Sequence, residues 1–261
     1  MKHFIEDFKK YFKYIIYATR SELKSEVANS YLNWIWWLLE PICFMLIYAF
    51  ISIIVFKSKE PNFTVFVFIG LAVWTFFNQT ISTSVRLVSL NKSIVTKVYV
   101  PKFVLILVKL FKNAFKMFIS FGLVFVLMLI NGVPLSLQIL NFIPLVILLV
   151  IITFSFSSIL LHFGVFVEDL TNIISILLKL VFYLSGIFYS ISTRVPQPYN
   201  RILLNLNPVA LIIDSFRKIL LYNKYPNYSM LTIWLVVGLF LSVLGLRTIY
   251  KYENSYVKVI K

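Results

Sequence analysis

Between Lys116 and Glu168 the chain runs for 51 residues without a single Asp, Glu, Lys or Arg. The run reads MFISFGLVFVLMLI, then NGVPLSLQ, then ILNFIPLVILLVIITFSFSSILLHFGVFV. About 20 predominantly apolar residues in a helix cross the ~30 Å hydrocarbon core of a bilayer. The run is therefore long enough for two crossings, with the turn signal Asn131-Gly132-Val133-Pro134 between them. A water-soluble domain needs no uncharged block of that length, so the chain is read as a membrane protein. The same criterion gives six apolar segments, at about 34–56, 63–84, 110–130, 140–165, 172–190 and 230–250. The expected fold is an all-α integral membrane protein, a single domain over 1–261 with six transmembrane helices.

Orientation follows from where the cations lie. If the N-terminus is cytosolic, the cytosolic pieces 1–33, 85–116, 166–171 and the tail from Arg247 carry 17 of the 25 Lys and Arg residues. The opposite side carries 7, and Lys179 lies within the fifth span. Basic residues collect on the cytosolic side, so both termini are expected there. The same asymmetry accounts for most of the +15 net charge, which is not read as nucleic-acid binding. Glu6 and Asp7 stand where a signal peptide would be basic, and the N-terminus is not read as one.

Catalytic equipment is not legible. No two of the seven glycines are five apart, so a phosphate-binding G-x-x-x-x-G-K loop cannot be written anywhere. The single cysteine, Cys43, permits neither an intrachain disulfide nor a cysteine-based metal site. His162, in the fourth span, reads as a polar packing residue. No catalytic or metal-binding residue is assigned.

Four local features carry more information. In residues 1–33, Phe4, Phe8, Phe12, Ile15 and Thr19 recur at helical spacing, which predicts an amphipathic helix. Such a helix lies in the membrane interface or packs on a partner. Glu40-Pro41 stands about seven residues inside the first span and Lys179 about seven inside the fifth. A charge at such depth costs at least ~2.5–3.5 kcal/mol, so equal depth makes Glu40 and Lys179 candidate partners. Between spans two and three, residues 86–101 predict a short transverse helix with Ile94, Val95 and Val98 among Lys92, Lys97 and Lys102, broken at Pro101. It suits either a groove on a cytosolic partner or an anionic lipid surface. Residues 191–229 contain Asn207-Pro208, a cap and first-turn proline, followed by an amphipathic stretch with Asp214 and Lys218 four apart. At about 14 residues this helix is too short to span, so a re-entrant hairpin from the outer face is expected.

These segments together resemble the permease subunit of ABC-2-type exporters of polysaccharides and polyol phosphates, which serve O-antigen, capsule and teichoic acid. Ser30, Tyr31, Leu32, Trp36, Leu39, Glu40 and Pro41 match the family's opening pattern, with Asn33 where glycine is usual. Lys97 and Pro101 match its lysine and proline before the third span. Leu184, Ser185, Phe188 and Tyr189 match another pattern, with Gly186 in place of proline. Asn207, Pro208, Phe216 and Arg217 match the last, while Glu168-Asp169 stands where arginine-aspartate is usual.

The resemblance implies a homodimer with two copies of a cytosolic ABC ATPase, which would bind the ATP and Mg, with no cofactor in this chain. Coupling to that ATPase is expected from Lys92, Ile94, Val95, Lys97, Val98, Pro101, Glu168 and Asp169. A conduit is expected from Trp36, Glu40, Tyr48, Lys179, Phe182, Tyr183, Phe188 and Tyr189. The aromatics Trp34, Trp36, Trp37, Trp74, Phe182, Tyr183, Phe188 and Tyr189 are read either as interfacial belt and packing or as a sugar-stacking lining. An outer gate is expected from Asn207, Pro208, Asp214, Phe216 and Arg217. The implied cargo is a lipid-linked glycan or polyol-phosphate polymer, and the implied place is the bacterial cytoplasmic membrane. A drug or lipid exporter of the same architecture, and an integral-membrane enzyme of lipid or glycan metabolism, are the alternatives.

Overall fold

The computed structural model describes residues 2–28, 31–51, 54, 62–134 and 136–260. Ser30, Lys57, Lys59 and most of the end of the expected first span lie outside the described residues, as does the Tyr48 side chain. The described residues are mostly helical, with no strand among them: α1 (Lys2–Val27), α2 (Trp36–Phe50), α3 (Phe63–Val85), α4 (Leu87–Leu90), α5 (Lys92–Val95) and α6 (Lys102–Ile130) form the first half. After a short 3-10 turn come α7 (Phe142–Phe166), α8 (Leu170–Leu184), α9 (Ile191–Arg194), α10 (Tyr199–Leu206), α11 (Pro208–Leu220) and α12 (Tyr228–Ile260).

Among the described residues, four helical stretches are long and apolar enough to cross a membrane: 63–85, 102–130, 137–166 and 228–256. These match the second, third, fourth and sixth expected segments. The first and fifth appear as shorter apolar helices of 15 residues each, α2 and α8. The expected fifth segment ran to 190, but its helix ends at Leu184. Ser185 and Gly186 turn the chain there, Gly186 at φ 64°, a left-handed conformation that glycine adopts without a Cβ clash.

The turn between α6 and α7 falls where the sequence places it. Val133 N–H donates to Met128 O and Gly132 N–H to Leu129 O, with Gly132 at φ 65°. That is a Schellman closure, which satisfies carbonyls a helix end leaves open.

Three long helices run side by side in the same direction. Phe77 of α3 meets Phe156 of α7 edge to face at 6.3 Å, and Val85 of α3 lies against Gly164 of α7. Both pairs are 79 residues apart in sequence, so the two helices are parallel and in register. On the other side of α7, Asn141 bonds Tyr228, Ile151 meets Gly238 and Ser158 meets Gly245, each pair 87 apart. Small residues let the backbones close up. Because α7 and α12 point the same way, the chain between them must return to the end from which α7 started. At 1.5 Å per residue, the 15 residues of α8 rise only about 22 Å. The rest of the return is made by α9, α10 and α11.

The apolar stripe of α1 is turned toward the chain's own α6. Ile15 is fully buried and Thr19 Oγ1 donates to Val108 O at 3.4 Å. Lys109, Lys112 and Lys116 share one face of α6. Glu22 meets Lys109 at 2.7 Å, and Glu26 meets Lys112 at 3.4 Å and Lys116 at 2.6 Å. The first half of α6 carries these three cations because α1 supplies the matching carboxylates.

Candidate functional site: a groove between α2, α3 and α8

Two stripes of side chains spaced four apart face one another. On α3 they are Trp74, Asn78 and Ser82; on α8 they are Thr171, Ser175, Lys179 and Tyr183. A residue and its fourth successor lie one above the other on a helix, so each stripe makes one wall. The walls enclose a groove of about 590 Å³. Phe182 and Trp74 close its back, with ring centroids 5.4 Å apart. Around Trp74, Asn78 and Phe182 the groove continues into a second cleft of about 270 Å³ toward α2, lined also by Glu40, Pro41, Gln79, Lys116 and Ser120. The combined surface mixes hydroxyls, amides, aromatic rings and two ammonium groups, a lining that can bind hydroxyl-rich and anionic groups together.

Glu40 and Lys179 both reach this surface but do not meet. Each is exposed, they open into different clefts, and no ion pair joins them among the described residues. Equal depth along two helices set their height but not their azimuth. The cation that shares a cleft with Glu40 is Lys116, which also pairs with Glu26.

Of the other expected conduit residues, Tyr183 is exposed on the groove, and Trp36 is exposed on α2. Tyr189 donates to Tyr183 O at 2.9 Å, and Phe188 packs edge to face on Phe182 at 5.5 Å and against the small core of Phe63, Phe66 and Val67. These last two brace the turn after α8. Sequence reasoning named Trp74 among the aromatics read as belt and packing or as a sugar-stacking lining, but missed Asn78, Ser82, Thr171 and Lys116. The available signal was the fourfold spacing of polar residues within runs otherwise apolar.

At the end where α3 and α7 finish, residues 86–101 form two one-turn helices rather than the single transverse helix expected. The helical path breaks at Arg86 and again at Asn91, whose φ and ψ are −106° and 24°. Ile94 and Val98 are exposed, beside Lys92 and Lys97, while Val95 is 5 % exposed and Pro101 is also buried. The outward apolar face is therefore Leu90, Ile94, Val98 and Tyr99, with Val95 and Pro101 anchoring it from below. Lys102 does not join the surface cations: it is 2 % exposed, its backbone N–H donates to Glu253 at 3.2 Å, and its Nζ lies 3.6 Å from that carboxylate. Tyr99 donates to the other Glu253 oxygen at 3.2 Å. Burial, then the Glu253 charge and hydrogen bond, push the Tyr99 hydroxyl up to about 12. Glu253 on α12 thus ties the 86–101 segment to the start of α6. Glu168 and Asp169 are exposed in the turn before α8, at the same end.

At the opposite end, Asn207 caps α11 by accepting from Val209 N–H and Ala210 N–H, and its amide donates to Ser185 Oγ at 3.0 Å. Pro208 follows at the first helical position, where a missing N–H costs nothing. Phe216 is fully buried, with Phe121 at 5.1 Å and Phe142 at 5.3 Å. Asp214 and Lys218 form the expected pair at 2.7 Å. Arg217, 3 % exposed, donates to three backbone carbonyls: Phe66 O at 3.1 Å, Gly186 O at 2.7 Å and Ile187 O at 2.7 Å. Its guanidinium lies 3.4 Å from the centre of the Phe66 ring. Arg217 is a clamp between α3, α11 and the turn after α8.

The family model for ABC-2 type transporters matches residues 14–221, which include the groove, the 86–101 segment and the Arg217 clamp. The chain belongs to the ABC-2 type transporter family. It is 28% identical over 250 residues to an O-antigen export system permease protein RfbA of Klebsiella pneumoniae, covering 95% of each chain. It is 27% identical over 227 residues to the protein of the same name from Myxococcus xanthus, covering 87% of each. The chain is thus a multi-pass membrane protein of a transporter family, as its apolar helices require.

Proposed function

We propose that this chain is the membrane-spanning permease subunit of an ATP-driven exporter, moving a lipid-linked polysaccharide or teichoic-acid-type polymer out across the bacterial cytoplasmic membrane. The observation that carries the reading is the groove whose walls are Trp74, Asn78 and Ser82 on one side and Thr171, Ser175, Lys179 and Tyr183 on the other. Amides and hydroxyls hydrogen-bond sugar or polyol hydroxyls, aromatic faces stack on sugar rings, and Lys179 attracts phosphate or carboxylate. The names of the relatives, O-antigen export permeases, support the same cargo class.

The groove is open along one side, and in a homodimer two such grooves would face each other to enclose a conduit. The parallel course of α3, α7 and α12 supports a six-span topology with both termini cytosolic, in which these are the second, fourth and sixth crossings and α2 and α8 the first and fifth. ATP and Mg would be bound by two copies of a separate ATPase, docked on the face of Leu90, Ile94 and Val98 with Glu168 and Asp169 nearby. The α9–α11 segment would enter the membrane from the outside and gate the conduit.

Deleting the gene in its own host tests the function. Lipid-linked polymer should accumulate on the cytosolic side and vanish from the surface, with a cytosolic ATPase co-purifying with the tagged chain. Unchanged surface polymer in the deletion strain would remove the exporter reading.

A further inference from the structure

The helix α8 separates two cavities of opposite character. One side is the polar groove. The other, between α8, α3 and α7 and roofed by α10 and the start of α11, is a slot of about 540 Å³. Phe77, Phe156, Leu160, Leu178, Val181 and Leu203 are among its walls. The one polar side chain on it, Asn207, spends its carbonyl oxygen on Val209 and Ala210 and its amide on Ser185. The slot therefore offers an occupant at most the second amide hydrogen of Asn207 in an otherwise apolar lining.

We propose that this slot holds an acyl chain of a resident membrane phospholipid, which acts as a spacer behind α8. Three considerations select that occupant. The slot borders α7, inside the 51-residue uncharged run, which sets it at the depth of the bilayer hydrocarbon. Sugars, peptides and water would lose hydrogen bonds there without compensation. A helix is too large: a cylinder 10–12 Å across takes roughly 400–600 Å³ per 5.4 Å turn, so the slot has room for about one turn, and α10 closes the way onward. The hydrophobic tail of an exported lipid-linked polymer is disfavoured, because its head would occupy the groove on the far side of α8. The chain's role is mechanical. It fills the gap between α8 and α7 and so holds the Lys179 and Tyr183 wall up against α3.

The test uses the full-length chain, purified in detergent, washed free of bulk lipid, and extracted for quantitative lipid analysis. Leu177→Trp and Ile202→Trp each place an indole at the mouth of the slot, from positions 47 % and 46 % exposed that tolerate bulk. Ile176→Trp, on the same helix and outside the slot, is the control. The wild type and the control should retain about one phospholipid per chain, and the two slot variants roughly tenfold less, equivalent to ~1.4 kcal/mol of lost affinity. A wild type that retains no lipid, slot variants that retain as much as the control, or retention of an isoprenoid lipid instead would each overturn the proposal. Should either variant unfold, a phospholipid carrying a mid-chain diazirine decides on the unaltered protein. Adducts on α8 and α10 residues of the slot support it, and adducts spread evenly over the exposed faces of α6 and α12 reject it.

Discussion

Arg217 reaches the backbone of α3 because Gly70 has no side chain: a Cβ built on Gly70 would lie 2.8 Å from Arg217 Nη2. The glycine is needed for space and not for its backbone freedom. A planar fork of donors can serve the Phe66, Gly186 and Ile187 carbonyls together, and a lysine cannot. Arg217→Met leaves the Gly186 and Ile187 carbonyls without this donor, at about 1–3 kcal/mol each. Arg217→Lys should recover only part of the loss, and Gly70→Leu should resemble Arg217→Met. Thermal unfolding of the purified variants checks the order. Wild-type stability in Gly70→Leu would show that the guanidinium does not depend on that space.

The α1–α6 contact should be sensitive to acid. Burial pushes the Glu26 carboxyl up, but the hydrogen bonds and charges of Lys116 and Lys112 together outweigh it and leave it below its ordinary value. A depressed carboxyl stabilises the folded contact above the unfolded value, and the contribution is lost as pH falls through the folded one. Amide exchange in α1 should therefore accelerate, relative to α3, when pH drops from neutral to ~3.5, below the usual ~4.3 for glutamate. Equal acceleration in Glu26→Gln would mean the pair is not the cause.

Ile94→Asp with Val98→Asp should release the partner ATPase or uncouple its hydrolysis from export, while the chain still inserts and folds. Val95→Asp should behave differently, since Val95 is buried and an aspartate there loses solvation without gaining a partner. Reduced stability in Val95→Asp and normal stability in the double variant is the expected split. Wild-type ATPase binding together with wild-type export in the double variant would remove the docking face.

Glu40 should couple to Lys116 and not to Lys179. A double-mutant cycle of Glu40→Gln with Lys116→Gln should give an interaction of roughly 0.5–3 kcal/mol, whereas the cycle with Lys179→Gln should be additive within ~0.5 kcal/mol. A large Lys179 term with no Lys116 term would reinstate equal depth as the guide to pairing.

Tyr183→Ala and Lys179→Met alter exposed positions, so stability should stay within ~0.5 kcal/mol of wild type. Export in cells should nonetheless fall several-fold if the groove handles the cargo. Full export in both variants would move the cargo path elsewhere.

Element identity was far more legible in the sequence than azimuth. Apolar run length located α3, α6, α7 and α12, and the Asn131-Gly132 and Asn207-Pro208 signals located a turn and a cap, because these depend on near neighbours in the chain. The pairing of Glu40 with Lys179 failed for the converse reason: depth is a one-dimensional quantity, and facing depends on how helices rotate when packed. The single transverse helix over 86–101 failed at Asn91, whose side chain bonds the Leu87 carbonyl at 2.8 Å and whose backbone leaves the helical region. The inward turn of Lys102 rests on Glu253, 151 residues away, and no local pattern announces it. The groove was half visible, since Lys179, Phe182, Tyr183 and, on the opposite wall, Trp74 were named, while Asn78 and Ser82 were not.

The fixed sequence intervals between α3 and α7 and between α7 and α12 work like the teeth of a rack. Gly164 against Val85, and Gly245 against Ser158, leave no clearance for one helix to slide past its neighbour by a fraction of a turn without losing every contact along the seam. Well-packed interfaces have discrete arrangements and do not deform continuously. A stroke that moves cargo is therefore expected to leave this three-helix slab intact as a stator and to fall on helices outside it, of which α2 and α8 line the groove.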